Sequence, residues 1–335
     1  MNRLKQLAPG LLFTAAMALP GYLLGLLIPF IGAPIFSMAI GIIWNHTLRK
    51  PAACKAGITF TSKKILQWSI IAMGCGLNLR QVWETGTASL TVTLCTLATA
   101  FIVAFLVGKL LKMEGHMQTL VGAGTAICGG SAIAAVAPII EAKEMQIALS
   151  ISTIFLYNIV AALFFPPLGH VMGLSDLGFG LWAGSAINDT SSVVAAGYTY
   201  SEAAGQYATI VKLTRSTFII PICIFLAVLV SMKRRKEGTA GTGSGASLIR
   251  IIPWFILYFL AASLLHTVGV IPDALVPYTT FAGKYMIDMA LFSIGLAVDF
   301  RQLVKTGAKP VLLGGIVWIS VILVCLAVQF ATGKV

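Results

Sequence analysis

Apolar runs of about twenty residues recur along almost the whole chain, separated by short polar or basic clusters. At 1.5 Å per residue a helix of that length crosses a hydrocarbon core of about 30 Å. In lipid the backbone must satisfy its own hydrogen bonds, which a helix does within one segment. The pattern predicts an all-α polytopic membrane protein with about 11 transmembrane helices, over residues 10–30, 32–48, 58–78, 87–110, 118–140, 144–170, 175–197, 204–231, 250–271, 277–299 and 309–332. Arg3 and Lys5 precede the first run as in a signal peptide, but Pro20, Gly21 and Gly25 lead into further apolar sequence without a cleavage signature, so this run is read as the first span.

Composition agrees with lipid as the solvent. Hydrophobic residues make up 58% of the 335, charged residues 10%, and mean hydropathy is +0.93, against about 25% charged residues in soluble domains. The net charge of +12 does not point to nucleic acid, because the basic residues form small clusters between spans rather than one face. Arg3/Lys5, Arg49/Lys50/Lys55, Lys109/Lys112, Lys233/Arg234/Arg235/Lys236 and Arg301/Lys305/Lys309 all fall on one side of the predicted topology. The positive-inside rule makes that side the cytoplasm. The N-terminus is then inside and the C-terminus outside.

The whole chain, 1–335, reads as one membrane domain, with a repeat region in 1–140 and a second in 175–335. A shift of 221 residues lays Gly74, Arg80, Gln81, Thr85 and Gly86 on Gly295, Arg301, Gln302, Thr306 and Gly307. The copies end on opposite sides of the membrane, as inverted repeats of secondary transporters do. Residues 233–249, with the stretch EGTAGTGSGAS, read as a flexible cytoplasmic loop.

Two segments interrupt the apolar pattern at mid-membrane: Gly122 to Pro138 in span five and Gly184 to Gly197 in span seven. Gly pairs and hydroxyl runs are poor helix formers, and unwound backbone at depth is tolerated where it lines a cavity. The alternative for Gly122, Gly124 and the alanines is close helix packing. Cys128, Gly129, Gly130 and Ser131 in the first segment, and Asn188, Thr190 and Ser191 in the second, are candidate substrate contacts. Ionisable residues at depth are costly. Lys212 and Arg215, one turn apart, are candidate cations for a bound anion, while Asp189 and Asp288 are candidates for a coupling ion or proton. A structural alternative pairs Asp288 with Lys284. The six cysteines lie singly, without metal-ligand spacing. No nucleophile and base share a depth, and there is no Walker motif. No cofactor, metal or enzymatic activity is expected.

The ordered set GTAICGGSAIAA, NDTSSVVAAG, VKLTRS (Val211 to Ser216) and KTGAKP (Lys305 to Pro310) resembles the bacterial YeiH family of inner-membrane proteins, named as sulfate exporters, along essentially the whole chain. Other members often carry His-Glu where Asn188-Asp189 stands, so the acid is kept and an imidazole relay is lost. The resemblance extends to the cation/proton antiporter and anion transporter superfamily, with the bile-acid symporters. It implies a panel domain and a core domain with crossed broken helices. Crossed helices of inverted repeats are antiparallel, whereas spans five and seven are parallel in this topology. Either a boundary is shifted or the second broken helix is not the symmetry mate of the first.

Together these readings predict a secondary active transporter of a small anion, by resemblance sulfate or a related sulfur oxyanion, with Na⁺ or H⁺ coupling and alternating access. A gated anion channel is the alternative, and an intramembrane enzyme ranks below both. A homodimer is compatible with the sequence. If the topology is correct, a reporter fused after Val335 reads periplasmic and one inserted near Gly241 reads cytoplasmic; a cytoplasmic C-terminus would remove one span.

Overall fold

The computed structural model describes residues 2–28, 33–48, 52–236, 254–297 and 307–334, and these are helical almost throughout. In chain order the helices are α1 (Asn2–Leu27), α2 (Ala33–Thr47), α3 (Lys55–Phe60), α4 (Leu66–Gly74), α5 (Leu79–Leu110), α6 (Gly115–Ala126), α7 (Gly130–Val136) and α8 (Glu144–Val171). They continue with α9 (Asp176–Ala186), α10 (Thr190–Tyr200), α11 (Glu202–Thr217), α12 (Ile219–Lys236), α13 (Trp254–Thr267), α14 (Val276–Ala297) and α15 (Ala308–Ala331). A π turn, Thr61–Ile65, joins α3 to α4 without a break. Grouped by the short connections, α3–α4 and α11–α12 each form one of the expected spans, but α6–α7 and α9–α10 do not cross. The start of α6 meets the start of α8 through Glu114 and Gln146, and Tyr200 at the end of α10 stacks on Phe179 at the start of α9, with ring centroids 3.9 Å apart, and donates to Leu174 O. Of the eleven expected spans, five and seven are therefore hairpins that turn back at their breaks, and nine segments of the described residues remain as crossings. Five helical stretches are long and apolar enough to cross a membrane: Gln6–Leu27, Leu79–Leu110, Met145–Val171, Glu202–Met232 and Ala308–Ala331.

Local chemistry sets the boundaries. Asn78 caps α5 by accepting from Arg80 N at 2.8 Å, so span four starts eight residues before the apolar run suggested. Ser175 and Ser201 cap α9 and α11 in the same way, from Gly178 N and Ala204 N at 3.0 Å. Span eight is interrupted after Thr217, four residues before Pro221, whose ring excludes the carbonyl at that position. Lys233 to Lys236 prolong α12 rather than open a loop. Glu237 to Ser247, and Arg301, Gln302, Lys305 and Thr306 of the second repeat copy, lie outside the described residues.

The helices sort into two bundles. In the first, α14 packs on α2, α4 and α1, with α3 against α1 and α13 against α4. In the second, α11 packs on α9 and α10, α15 on α5, and α8 on α6 and α10. Each has its own core: Cys54, Ile58, Phe292 and Leu296 in the first, and a larger set from Val92 to Cys325 in the second. Between them α10 meets α2 and α14, where Val194 and Ala195 share a cluster with Met38, Ile287 and Leu291. Neither bundle is a continuous stretch of chain.

Glycine lets the first bundle close. A methyl on Gly41 would lie 2.3 Å from Phe292 O, and one on Gly295 2.3 Å from Met38 O, so α2 and α14 touch backbone to backbone. Gly41→Val is expected to lower stability in detergent by about 1–3 kcal/mol through overpacking against an immovable backbone. Gly115→Ala, with open space at its Cβ position, is expected to be neutral in the same unfolding measurement.

Candidate functional site

Both interrupted segments are true breaks. Helix α6 stops at Ala126, Ile127 takes φ −116°, and Gly129 sits at φ 68° before α7 begins at Gly130. That positive φ is strained for any residue with a side chain, which is why glycine stands there. Helix α9 stops at Ala186, and α10 starts at Thr190 with Asp189 as its N-cap. The Asp189 carboxylate accepts from Ser191 N at 3.0 Å and from the Ser191 hydroxyl, while Asp189 N donates to Asn158 Oδ1 at 3.1 Å. A methyl placed on Gly129 would lie 3.5 Å from Asp189 Cβ and 3.7 Å from Asn158 Nδ2. The breaks therefore face each other, with α8 alongside.

Breaking a helix in lipid leaves its last carbonyls without partners. Here α11 supplies the donors. Lys212 Nζ donates to Ile127 O at 2.8 Å and to Ile187 O at 2.9 Å. Arg215 donates through Nε to Ala126 O at 2.5 Å, through one terminal nitrogen to Thr125 O at 2.6 Å, and through the other to Ser185 O. Trp318 Nε1 on α15 donates to Ala186 O at 3.1 Å. Both cations are fully buried. Arg215, expected as a cation for a bound anion, has all three of its donor-bearing nitrogens engaged by carbonyl oxygens. Lys212 is likewise drawn onto the two half-helix ends rather than onto open space.

Chains of bonds this regular have a cause in the sequence. A shift of 60 residues lays Ala123, Gly124, Ala126, Ile127, Ser131 and Ala135 on Ala183, Gly184, Ala186, Ile187, Ser191 and Ala195, with Thr125 on Ser185. Each cation bonds equivalent carbonyls in the two copies: Ile127 and Ile187 for Lys212, Thr125 and Ser185 for Arg215. The hairpin α6–α7 has both ends at the start of α8, and α9–α10 has both ends at the end of α8, so the two copies enter from opposite sides and are inverted rather than parallel. The parallel orientation expected for spans five and seven came from counting each hairpin as a crossing. The signal was legible in the sequence as TAICGGS over SAINDTS. Asn158 and Trp318, which also hold the breaks, had no such signal.

The other candidates are distributed as follows. Cys128 is buried in the first break, Gly130 is half-buried with open space where a Cβ would lie, and Ser131 is exposed. Asn188 is completely buried, and neither its Nδ2 nor its Oδ1 has a partner among the described residues. Thr190 is half-buried and Ser191 buried. Asp288 lies away from the breaks, on α14 of the first bundle, and Lys284 pairs with Glu202 at 2.9 Å rather than with Asp288. Among the described residues no three metal-ligating side chains cluster.

This architecture, a multi-pass bundle of α-helices with two paired helix breaks, is that of a polytopic membrane protein. The family described as Conserved hypothetical protein 698 matches residues 9–314. The chain is 44% identical to the UPF0324 membrane protein SAG1125 of Streptococcus agalactiae over 98% of both chains. It is 40% identical to a UPF0324 membrane protein of Clostridium tetani over 99% of both, and 43% identical to one of Streptococcus mutans over 97% of both. The chain belongs to this UPF0324 membrane-protein family.

Removing the Arg215 guanidinium leaves up to three buried carbonyls without donors, at about 1–3 kcal/mol each. Arg215→Gln is therefore expected to lose most of its folded yield and to melt at lower temperature in detergent, with Arg215→Lys intermediate. Ser131→Ala, an exposed position, is expected to melt as wild type does.

Proposed function

We propose that this protein is a secondary transporter of a small anion, with sulfate or a related sulfur oxyanion as the substrate class. The observation that carries the reading is Asn188. Its carboxamide is completely buried in the second helix break with both polar ends unpartnered among the described residues. A buried amide left open in this way costs about 1–3 kcal/mol per group. A ligand at the breaks relieves that cost. The open space beside Gly130 and the exposure of Ser131 offer a way in.

Charge supports an anion. Lys212 and Arg215 spend their donors on carbonyls rather than on carboxylates. Half-helix ends carry about half a charge each, positive at the N-end and negative at the C-end. Two cations, two ends of each sign and the Asp189 carboxylate leave a balance of about +1 at the breaks. In a low-dielectric surround that balance favours a small anion. In this reading the cations position the site, the Gly129–Gly130 backbone, Ser131, Asn188, Thr190 and Ser191 line it, and Cys128 packs beneath.

The two-bundle construction supports alternating access, in which the break-bearing bundle moves against the other at the α10 joint. Substrate name and coupling rest on the resemblance and on the charge balance. Purified protein in proteoliposomes is expected to take up labelled sulfate saturably, with uptake stimulated by unlabelled sulfate inside. Uptake that rises linearly with concentration and shows no stimulation from the far side would mean a channel instead.

A further inference from the structure

Lys284 and Asp288 stand at i and i+4 on α14 and share a face, yet the fold treats them differently. Lys284 Nζ donates to Glu202 Oε2 at 2.9 Å, from α14 of the first bundle to the first turn of α11 in the second. This ion pair ties the bundles together. Asp288 is 2% exposed, and its Oδ1 has no hydrogen-bond partner among the described residues. Helical side chains lean toward the preceding turn, which directs this carboxyl toward the turn that carries Lys284. Its neighbours Ile287 and Leu291 pack in one cluster with Val194 and Ala195 of α10. The unpartnered carboxyl therefore lies beside the joint between bundles, one turn from the only cation on its helix.

We propose that Asp288 is a proton-binding site whose occupancy sets this joint, by exchange of Lys284 between two carboxylates. With the proton on Asp288, Lys284 stays on Glu202 and the bundles are tied. When the Asp288 O–H bond breaks and the proton passes to water, the new carboxylate draws Lys284 away from Glu202. One cation–carboxylate contact replaces another, and the only change in charge is the proton released. Glu202, half exposed, is left to solvent. A metal cation in place of the proton would gather several oxygen ligands, and among the described residues no group of three His, Cys, Asp or Glu side chains forms such a cluster.

Other titratable groups on the elements packed against α14 do not take this role. Lys63 and Lys64 of the π turn are exposed. His46 at the end of α2 bonds its own helix at Ile42 O, and Asp273 before α14 pairs with His266. Tyr22 on α1 stacks edge-on to Tyr285, and Tyr198 on α10 is a phenol. Neither phenol carries charge near neutral pH.

The proposal deepens the transport reading by giving it a coupling proton, but the switch can be read without any substrate. The test labels Ala203→Cys on α11 and Tyr278→Cys on α14, both exposed, in a chain whose native cysteines are replaced, and measures the distance between labels in acidic and in alkaline buffer. Wild type is expected to show one short distance in acid and a second, longer population in alkali. Asp288→Asn, nearly isosteric, should hold the short distance in both buffers. Glu202→Gln should populate the long distance even in acid. A wild-type distance that ignores pH, or an Asp288→Asn distance that follows pH as wild type does, overturns the switch. Sulfate uptake in proteoliposomes with a pH-blind distance leaves the transport reading standing and removes this proposal; a pH-responsive distance without uptake does the reverse.

Discussion

Open carbonyls inside a membrane need donors, and the pair Lys212 and Arg215 provides them for the turns of two hairpins at once. One helix, α11, thereby holds α6 and α9 in fixed register, and the rest of the second bundle is arranged around that hold. Helix α15 adds Trp318 to Ala186 O, and α8 adds Asn158 to Asp189 N. Without the cations the carbonyls at the ends of α6 and α9 would be left open inside the bundle. With them, Gly129 can keep its positive φ and Asn188 can stay buried without a protein partner.

Cations used in this way do two things together. Their donors satisfy backbone, and their charge remains in the low-dielectric interior, where it is screened far less than at a surface. The hold and the attraction for an anion are then one feature. This also explains why Asp189 is placed on α10 rather than against the cations: as an N-cap it meets the positive end of that half-helix and Ser191, leaving Lys212 and Arg215 unneutralised by direct contact. The first break has Gly129 where the second has Asp189, so the two copies of the repeat differ in charge where the breaks meet. A duplicated element has become a site with two unlike walls.

Much of the fold was legible from hydropathy. The apolar runs and the two interruptions follow from run length and from Gly and hydroxyl content, but run length could not show that runs five and seven turn back at their breaks, because a hairpin and a span of equal length have the same hydropathy. Helix ends were less legible: Asn78 begins α5 well before the apolar run, since a cap is a local hydrogen bond and not a matter of hydropathy. The candidate site was legible in composition and not in geometry. A buried Arg in a span reads as a ligand for anything negative, and Arg215 met backbone carbonyls because the nearby breaks made more urgent demands. Lys284 shows the same limit: the partner within its own helix was visible in the sequence, and the partner across bundles, Glu202, was not.

The central claim is that a small anion binds at the paired breaks through the free carboxamide of Asn188, on a frame fixed by Lys212 and Arg215. Calorimetric titration of sulfate into purified protein tests it most directly. Wild type is expected to bind saturably, and Asn188→Ala, with an unchanged melting temperature, to bind about tenfold more weakly or less, a loss of ~1.4 kcal/mol or more. Equal sulfate affinity in wild type and a folded Asn188→Ala would contradict the account.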